Sequence, residues 1–404
     1  MQIDPAARID LTYCTNIHSA DGWAAVLANL RRYAPALKAR LAPHRTFGVG
    51  LRLSAREAAE LRAPDTLSTF RAFLDEEGLY VAIINGFPYG PFHGTAVKAA
   101  VYAPDWRHRA RVDYTLDLVH ILARLLPPDM DGGISTVPIS YKAWMGNGTA
   151  DDWSAVVRNL AEIALAMHRA GEERGCRLHL DIEPEPDCVI ETTNETIAFF
   201  ERRLLTEGIH VLAPTVGGVA AAERLLREHI RVCFDCCHVS VEHEDPIAAL
   251  RCLSAAGIAV GRVQLSSALR VDMPRDPDAA AAVSARLGPF ADATYLHQVI
   301  CRHDDHRLEH AMDLDRALAA MMPGEWRVHF HVPLFRDDYD GLQSTQQDVR
   351  RVLDEARRAP FTHHLEIETY TWDVLPAQVK ADLPDSIARE YEWVLAQWLR
   401  ESDA

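Results

Sequence analysis

The motif DCCH, residues 235–238, places a carboxylate and an imidazole three positions apart, directly after an apolar segment. Two glutamates, Glu183 and Glu368, end two further segments of the same character. Carboxylates mixed with imidazoles suit Mn, Co or Zn better than Ca, which prefers oxygen ligands alone. We therefore predict one divalent-metal site made by Glu183, Asp235, His238 and Glu368. An Asp and a His at this spacing are by themselves more often ordinary turn chemistry, so the prediction depends on the two glutamates.

Strand parity explains how these side chains would meet, because neighbours along a strand point to opposite faces of a sheet. In RLHLDIEPE the apolar residues share one face, while His179, Asp181 and Glu183 share the other. The same parity in other segments gives further polar sets that would face a common interior. Those sets are Arg231, Cys233 and Asp235; Arg262, Gln264 and Ser266; Arg327, His329 and His331; Glu366, Glu368 and Tyr370; and Arg52.

This polar interior departs from ordinary barrel packing, which fills the interior with branched apolar side chains. Buried charges must pair with one another or bind a cation. One interpretation is a set of internal salt bridges between the carboxylates and four arginines, Arg52, Arg231, Arg262 and Arg327. The other is a metal site, since several acids and histidines fall at the carboxyl ends of strands, where barrel active sites lie.

The elements that would position these residues are strands alternating with amphipathic helices, a pattern typical of a parallel sheet. Long helical stretches at about 105–126 and 151–174 favour a closed barrel over an open sheet. We therefore predict an α/β fold, a (β/α)8 TIM barrel. Two capping boxes and two C-cap glycines mark helix ends: Ser54 with Glu57, Thr192 with Glu195, Gly78 and Gly175.

Nine segments have the composition of strands, one more than such a barrel holds. They are IDLTYCTN, TFGVGLRLS, LYVAIINGF, ISTVPIS, RLHLDIEPE, RVCFDCCHV, RVQLSSAL, RVHFHVPLF and HLEIETYTW. The interval at about 268–325 is much longer than a normal crossover, so we expect an insertion there, within a single barrel domain of residues 1–404. One of the last three segments would then belong to the insertion.

Composition narrows the cellular setting and the partners. The formal net charge of -16, from 42 basic and 58 acidic residues, disfavours nucleic acid and anionic lipid as partners. The chain shows no secretory leader and no long apolar run, so we expect no membrane insertion. Eight irregularly spaced cysteines indicate a reducing compartment, and we predict a cytoplasmic protein.

At the candidate ligands the sequence resembles the xylose isomerase-like barrels, the superfamily of sugar isomerases, ketose epimerases and endonuclease IV-type enzymes. The resemblance implies metal ligands at Glu183, at Asp235 and His238 of the DxxH motif, and at Glu368, with Glu242 following at a familiar spacing. The third ligand strand has Gln264 where the superfamily has His. Because an amide is a poorer ligand, we expect His331 of the HFH sequence to substitute for it.

Over the whole chain the sequence resembles the family called metabolite traffic protein EboE. The stretches that carry this resemblance are LTYCTNIH, FGVGLRLS, INGFPYGPFH, STVPISYK, FDCCHVSVE, FHVPLF and HLEIETYTWDVLP. It implies a role in making or moving a small bacterial metabolite, alongside a prenyltransferase-like and a dehydroquinate synthase-like protein.

Further residues are candidates for contacting a substrate. The loop at 84–106 is rich in Gly, Pro and aromatic residues and is either a rigid turn or a substrate loop that carries Tyr89, His93 and Lys98. Lys142, beside Trp144, is either a phosphate or sugar contact or a surface lysine. The remaining substrate candidates are Arg52, which alternatively pairs with Glu366, and His329 and Tyr370. The histidines of the insertion, His303, His306 and His310, fit a solvated face better than a second metal site.

These observations favour a metal-dependent isomerase or epimerase acting on a polyol, sugar or cyclitol, with or without a phosphate. Its metal, Mn, Co or Zn, would polarise a substrate carbonyl. Glu183 and Glu368 would exchange a proton with the adjacent carbon as base and acid. Two alternatives stay open: an endonuclease IV-type phosphoesterase, and a non-catalytic metabolite-binding protein on the same barrel. A homo-oligomer also stays open.

Overall fold

The computed structural model describes residues 1–93, 97–375 and 382–400. Its strands, in chain order, are β1 (Gln2–Asp4), β2 (Ile9–Tyr13), β3 (Phe47–Arg52), β4 (Leu79–Asn85), β5 (Asp131–Thr136), β6 (Arg177–Ile182), β7 (Ile230–Asp235), β8 (Val260–Leu265), β9 (Leu269–Met273), β10 (Val299–Arg302), β11 (Leu308–Ala311), β12 (Gly324–Val328), β13 (Gln343–Ser344) and β14 (His364–Ile367). These strands form two separate sheets.

Helices fill most of the intervals. They are α1 (Trp23–Leu41), α2 (Ala55–Leu61), α3 (Pro64–Glu77), α4 (Arg109–Leu125), α5 (Lys142–Met145), α6 (Ala150–Arg174), α7 (Thr193–Phe199), α8 (Ile209–Val216), α9 (Val219–His229), α10 (Cys236–Val241), α11 (Pro246–Ala255), α12 (Pro277–Leu287), α13 (Leu314–Ala320), α14 (Gln346–Arg358) and α15 (Leu383–Trp398). Short 3-10 turns lie at Thr15–Ile17, Lys98–Tyr102, Gly288–Phe290 and Tyr370–Asp373, and a π-helical stretch, Phe200–Gly208, joins α7 to α8.

The larger sheet is the barrel. Its parallel strands follow the order β2, β14, β8, β7, β6, β5, β4, β3, and a parallel bridge between Cys14 and Gly50 joins the two ends of that series. β1 adds an antiparallel strand beside β2. Both predicted capping boxes and both predicted C-cap glycines are present, so local sequence sets several helix ends. The prediction of an eight-stranded α/β barrel is confirmed.

The smaller sheet has five antiparallel strands in the order β11, β10, β12, β9, β13. Its strands run from Leu269 to Ser344, between β8 and β14. The segment RVHFHVPLF begins in β12 of this sheet, so it is not a barrel strand and its parity does not describe the barrel interior. Arg327, predicted to face that interior, instead pairs with Glu325 at 2.9 Å. The division into one domain with an insertion at 268–325 stays a prediction.

Charged side chains occupy the middle of the barrel, because glycines leave room for them. A Cβ atom at Gly50 would lie 1.6 Å from Glu366 Oε1, and one at Gly261 would lie 1.8 Å from Asp181 Oδ1. Arg262, fully buried between these acids, pairs with Asp181 at 3.1 Å and with Glu366 at 3.3 Å. The guanidinium of Arg262 offsets part of the charge of the two acids, and the three side chains fill the centre of the barrel.

Within the described residues, no single helix is long and apolar enough to cross a bilayer. One pair that is bent by 114°, Thr193–Val216 with Val219–His229, meets the length and composition criteria only when its members are taken together.

Candidate metal centre

The candidate site lies at the carboxyl ends of the barrel strands. Asp235 ends β7 and His238 lies in the first turn of α10, while Glu183 and Glu368 follow directly after β6 and β14. His331 comes from the loop after β12 of the smaller sheet. All five side chains are buried. The structure therefore brings the predicted acids and histidines to one place, although they come from two sheets.

Asp235 and His238 are held by hydrogen bonds that leave one ligand atom free on each. Asp235 Oδ1 accepts hydrogen bonds from the main-chain N–H of His238 at 2.9 Å and from the hydroxyl of Ser266 at 2.8 Å. The other oxygen, Oδ2, has no donor within the part of the chain that the structure describes. His238 Nδ1 donates to the carbonyl of Pro184 at 2.9 Å, and its Nε2 lies 3.8 Å from Asp235 Oδ1.

His331 completes the same group. Its Nδ1 donates to the main-chain carbonyl of Glu368 at 2.8 Å, and its buried Nε2 has no partner among the described residues. A metal-binding histidine typically donates its other ring N–H to a carbonyl or carboxylate, which fixes the tautomer and the ring orientation. One ligand atom each from Asp235, His238 and His331 lies within 4.8 Å of the other two. These three residues fit a single divalent ion.

Gln264 lies beside this group, in register with Asp235 on one side and Glu366 on the other. It is fully buried, and neither its amide oxygen nor its amide nitrogen has a hydrogen-bond partner in the described ranges. An unsatisfied buried amide is costly, so its oxygen is available as a further ligand. The participation of Gln264 stays a prediction.

Glu183 and Glu368 are crowded by negative charge. Burial raises the pKa of the Glu183 carboxyl well above its usual value, and the charges of Glu368 and Asp235 raise it further. Burial and the charge of Asp235 likewise raise the pKa of Glu368, although its Oε1 accepts from the amides of Asn16 at 2.8 Å and Asn85 at 3.1 Å. A divalent cation would offset this repulsion, so the donor set and its charge fit a metal ion.

The histidines have the complementary property. Burial lowers the pKa of His238 well below its usual value, and the nearby ring of His331 lowers it further. The pKa of His331 is lowered chiefly by burial. Neutral imidazole is the form that binds metals, so these two rings are ready to act as ligands at neutral pH.

A second group shares His238. One atom each from Glu185, His238 and His329 lies within 4.8 Å of the others. His329 Nδ1 lies 2.7 Å from Gln298 Oε1, and Glu185 Oε1 accepts from the hydroxyl of Tyr102 at 2.9 Å. His329 was predicted to contact a substrate. Its neighbours Glu185, Tyr102 and Gln298 were not predicted as site residues. Glu185 stands two positions after Glu183 in DIEPEP, which was the available signal.

One pocket of about 560 Å³, measured with its open mouth, is lined by Glu183, Glu185, His238, His329, His331 and Glu368. Aromatic rings form part of its wall: Tyr370 packs 4.6 Å from the ring of His331, and Phe92 and Tyr295 pack around Tyr370. Lys98 also lines this pocket and pairs with Asp313. A polar floor with an aromatic wall suits a small polyhydroxylated ligand.

Several predicted substrate residues are engaged elsewhere. Arg52 pairs with Glu57 at 3.0 Å and with the carbonyl of Gly90, so the alternative that pairs it with Glu366 is wrong. Tyr89 packs on Tyr114. These contacts hold the loop after β4 against the barrel.

Lys142 and His93 also have protein partners. Lys142 pairs with Glu191, beside the buried Glu242, whose pKa burial raises to about 9. His93 contacts the carbonyl of Asn16 and so lies next to the pocket wall. Trp144 is 41% exposed and packs on the ring of Tyr141.

Of the three histidines predicted in the insertion, two have acidic neighbours. His303 pairs with Glu309 at 3.0 Å. His310 lies with Asp187 and Glu191 in a partly exposed group whose ligand atoms are within 4.8 Å of one another. His306 adopts a positive φ of 66° in the turn between β10 and β11.

The salt-bridge interpretation accounts for the arginines but not for the strand-end acids. Each arginine has an acidic partner: Arg52 pairs with Glu57, Arg231 with Asp131, Arg262 with Asp181 and Glu366, and Arg327 with Glu325. No ion pair with Lys or Arg forms at Glu183, Asp235 or Glu368 within residues 1–93, 97–375 and 382–400. A bound cation would offset the charge of these three acids.

Comparisons with known proteins give the fold. The sequence matches no protein-family model and no curated protein. Among solved structures it is similar to a xylose isomerase domain protein from Planctomyces limnophilus, with 14% identity, a TM-score of 0.50 and 96% of each chain covered. It is also similar to a xylose isomerase-like TIM barrel protein from Mycobacterium smegmatis in complex with magnesium, with 10% identity, a TM-score of 0.50 and 96% of each chain covered. The chain therefore has the fold of the xylose isomerase-like TIM barrels.

Proposed function

We propose that this chain is a metal-dependent isomerase or epimerase of a small polyol, sugar or cyclitol, with or without a phosphate group. The observation that carries the proposal is the convergence of Asp235, His238 and His331 within 4.8 Å, each with an orienting hydrogen bond. The two histidines line a pocket together with Glu183 and Glu368. The magnesium-bound solved structure of the same fold supports a metal there.

Asp235, His238 and His331 would hold the ion, with Glu183, Glu368 and Gln264 as further candidate ligands. A bound divalent ion supplies Lewis-acid polarisation of a substrate carbonyl. Its identity as Mn, Co or Zn is part of the proposal, since the ligand set mixes nitrogen and oxygen.

Glu183 and Glu368 would move the proton. The carboxylate of Glu368 accepts from Asn16 and Asn85, which orient it toward the pocket and favour its charged form against the burial and the charge of Asp235 that raise its pKa. Glu183 Oε2 has no donor in the described part of the chain, and its raised pKa favours the protonated form. We therefore assign Glu368 as the base that removes the proton beside the carbonyl and Glu183 as the acid that returns one.

The aromatic wall would bind the carbon face of the substrate. Tyr370 and Tyr295 present ring surface to the pocket, and Tyr102 presents a hydroxyl fixed by Glu185. The EboE resemblance supports a substrate from the biosynthesis or export of a small bacterial metabolite. We also propose a cytoplasmic setting, since all eight cysteines are free.

The second ligand group favours one alternative specifically. Because Glu185 and His329 lie beside His238, the pocket holds ligands beyond those that one ion needs, and a metal phosphoesterase could use them for a second ion. The net charge of -16 argues against DNA as its substrate. A binding protein without catalysis is the other alternative, and Gln264 at a ligand position supports it.

Elemental analysis of purified protein tests the metal site. We expect Mn, Co or Zn in the wild type and its loss at this site in Asp235→Ala and His331→Ala, while the control His303→Ala, which alters a histidine paired with Glu309, retains it. Incubation with ketoses and cyclitol ketones in deuterated water then tests the chemistry, since isomerisation or epimerisation exchanges the proton beside the carbonyl. A wild type that takes up none of these metals would rule out both the isomerase or epimerase and the phosphoesterase. Binding of a cyclitol without exchange of its proton would favour the non-catalytic binding protein.

A further inference from the structure

A second cluster of histidines and acids lies at the opposite, amino-terminal end of the barrel. Asp131 begins β5, His179 is in β6, and His364 begins β14. A separate open pocket of about 1250 Å³, measured with its mouth, is lined by Asp131, His363 and His364. The candidate active site lies at the carboxyl ends of the same strands and shares none of these residues.

His179 presents a free ligand atom to this cluster. Its Nδ1 donates to Asp181 Oδ1 at 2.6 Å, so the proton is held on that nitrogen. The opposite nitrogen, Nε2, is fully buried, lies 3.8 Å from Asp131 Oδ2 and has no hydrogen-bond partner among the residues described. A carboxylate that orients a histidine in this way is typical of metal-binding histidines.

The orienting carboxylate is itself fixed. Asp181 Oδ2 accepts from Arg262 Nε at 3.1 Å. Space for the His179–Asp181 pair exists because Gly133 and Gly261 carry no side chain: a Cβ atom at Gly133 would lie 2.5 Å from His179 Cε1, and one at Gly261 would lie 2.7 Å from His179 Nδ1. His179 is therefore rigidly placed before any ligand arrives.

Asp131 and His364 complete the group. His364 Nε2 lies 3.3 Å from Asp131 Oδ1, and one ligand atom each from Asp131, His179 and His364 lies within 4.8 Å of the other two. His363 Nδ1 is 2.8 Å from Asp131 Oδ1, and its side chain is 44% exposed at the pocket mouth. Arg231 lies 3.3 Å from Asp131 Oδ2 and hydrogen-bonds the carbonyl of Glu228, so an ion would share Asp131 with it.

We propose that Asp131, His179 and His364 bind a divalent cation of the zinc class at the amino-terminal end of the barrel, with His363 as a further ligand from the mouth. Two or three imidazoles with one carboxylate form a ligand set typical of Zn or Co rather than of Mg or Ca.

The position of this ion gives it a structural role. β5 and β6 are neighbours, whereas β14 lies on the other side of the barrel, four strands from β5 in either direction around the closed series. The ion would therefore cross-link opposite walls of the barrel. Because the ligands are assembled only in the folded chain, binding would raise the melting temperature as the metal concentration rises.

The test uses the full chain. The candidate metal site at the carboxyl ends of the barrel strands, called the upper site from here on, is removed by mutation. In the double variant His238→Ala/His331→Ala, which breaks both ligand groups of that site and is stripped of metal, we expect titration with zinc chloride to show one bound ion per chain and a rise in Tm. Cobalt chloride should give the visible absorption of a nitrogen-coordinated Co²⁺ ion. Adding His179→Ala or Asp131→Asn should weaken binding by about a hundredfold or more, since even the loss of an orienting group costs about 10- to 100-fold.

Matched controls separate binding from folding. His168→Ala changes another histidine that lines the same pocket but is absent from the ligand group, and it should retain the ion. His364→Gln serves as a third ligand variant, and circular dichroism of each metal-free variant shows which are folded. Failure of the folded double variant to bind Zn or Co would overturn the proposal. Binding that survives both His179→Ala and His364→Gln would do the same and would leave the cluster as an ion-pair network only.

Discussion

The ring of His331 is fixed by Glu368: its Nδ1–H donates to the main-chain carbonyl of that glutamate at 2.8 Å. Because this bond occupies Nδ1, the lone pair of Nε2 is left for a ligand beside Asp235 and His238. Glu368 therefore contributes twice, with its main chain orienting a candidate ligand and its side chain lining the pocket. This relationship connects the smaller sheet to the last barrel strand.

Metal affinity should depend on His331 more than on Gln264. We expect His331→Ala to weaken binding at the upper site by at least about a hundredfold, because a removed ligand costs more than a removed orienting group. Gln264→Ala should have a smaller effect, and Gln264→His should strengthen binding, because imidazole is a better ligand than an amide. Competition with a coloured chelator measures the metal affinity of all three variants. Each protein also carries His179→Ala, which removes a ligand from the cluster of Asp131, His179 and His364 and so prevents binding there. The opposite ranking of His331 and Gln264 would contradict this ligand set.

Proton transfer should fail when either glutamate loses its acid–base function. We expect Glu183→Gln and Glu368→Gln to lower kcat by about 10²- to 10⁴-fold, the range typical of a lost general acid or base. Proton NMR in deuterated water measures exchange beside the carbonyl of the substrate. Glu60→Gln, which changes a partly exposed acid paired with Arg56, is the matched control and should exchange normally. Full activity in both site variants would remove these residues from the mechanism.

The ion pairs at the centre of the barrel should contribute strongly to the free energy of unfolding. Asp181→Ala breaks the ion pair between Asp181 and the buried guanidinium of Arg262, while the pair with Glu366 remains. Because breaking a buried pair leaves a charge uncompensated, we expect a loss of about 3–5 kcal/mol. Arg56→Ala breaks exposed pairs, which solvent screens, and should cost far less. Urea unfolding followed by circular dichroism gives both free energies of unfolding. Equal losses in the two variants would show that the central ion pairs contribute no more than surface ones.

Glu390 should make stability depend on pH. It is buried in α15, accepts from Thr369 Oγ1 at 2.6 Å and from the main-chain N–H of Leu334 at 3.1 Å, and burial raises its pKa to about 8. Because the folded chain holds this proton more tightly than the unfolded chain, the buried carboxyl costs nothing below the unfolded value near 4.5. Its cost then grows as pH rises toward about 8, by about 1.4 kcal/mol for each pH unit.

Other groups titrate in the same range, so the measurement is a difference between two proteins. The free energy of unfolding of the wild type minus that of Glu390→Gln should fall between pH 4.5 and pH 8. A difference that stays constant across this window would show that Glu390 titrates normally.

The barrel and much of its site were predictable because they follow local rules. Apolar alternation in RLHLDIEPE puts Glu183 on the polar face of its segment, and in the structure it follows directly after β6. The DCCH motif follows a strand-like segment, and in the structure Asp235 ends β7 with His238 in the first turn of α10. Capping boxes such as Ser54 with Glu57 depend on four neighbouring residues, so they too can be recognised from the sequence.

The remaining features depend on contacts between distant residues. RVHFHVPLF has the alternation of a barrel strand, but Arg327 pairs with β9 and β10 of the smaller sheet, and sequence parity does not show which sheet a strand joins. His331 still reaches the site, through a loop beyond β12 and not by strand parity. One of the two alternatives for Arg52 paired it with Glu366, yet its partner is Glu57, only five residues away, because the helix after β3 folds back over it.

The position of His331 beyond β12 has a consequence for biosynthesis of the chain. A nascent chain that has completed β7 has Asp235 and His238 but not His331, which is translated only after most of the smaller sheet. Domains form largely in the order in which they leave the ribosome, so the upper site stays incapable of capturing metal until nearly the whole protein exists. Metal loading would then act as a late quality check on maturation, since only a chain with both sheets docked presents the complete set of ligands.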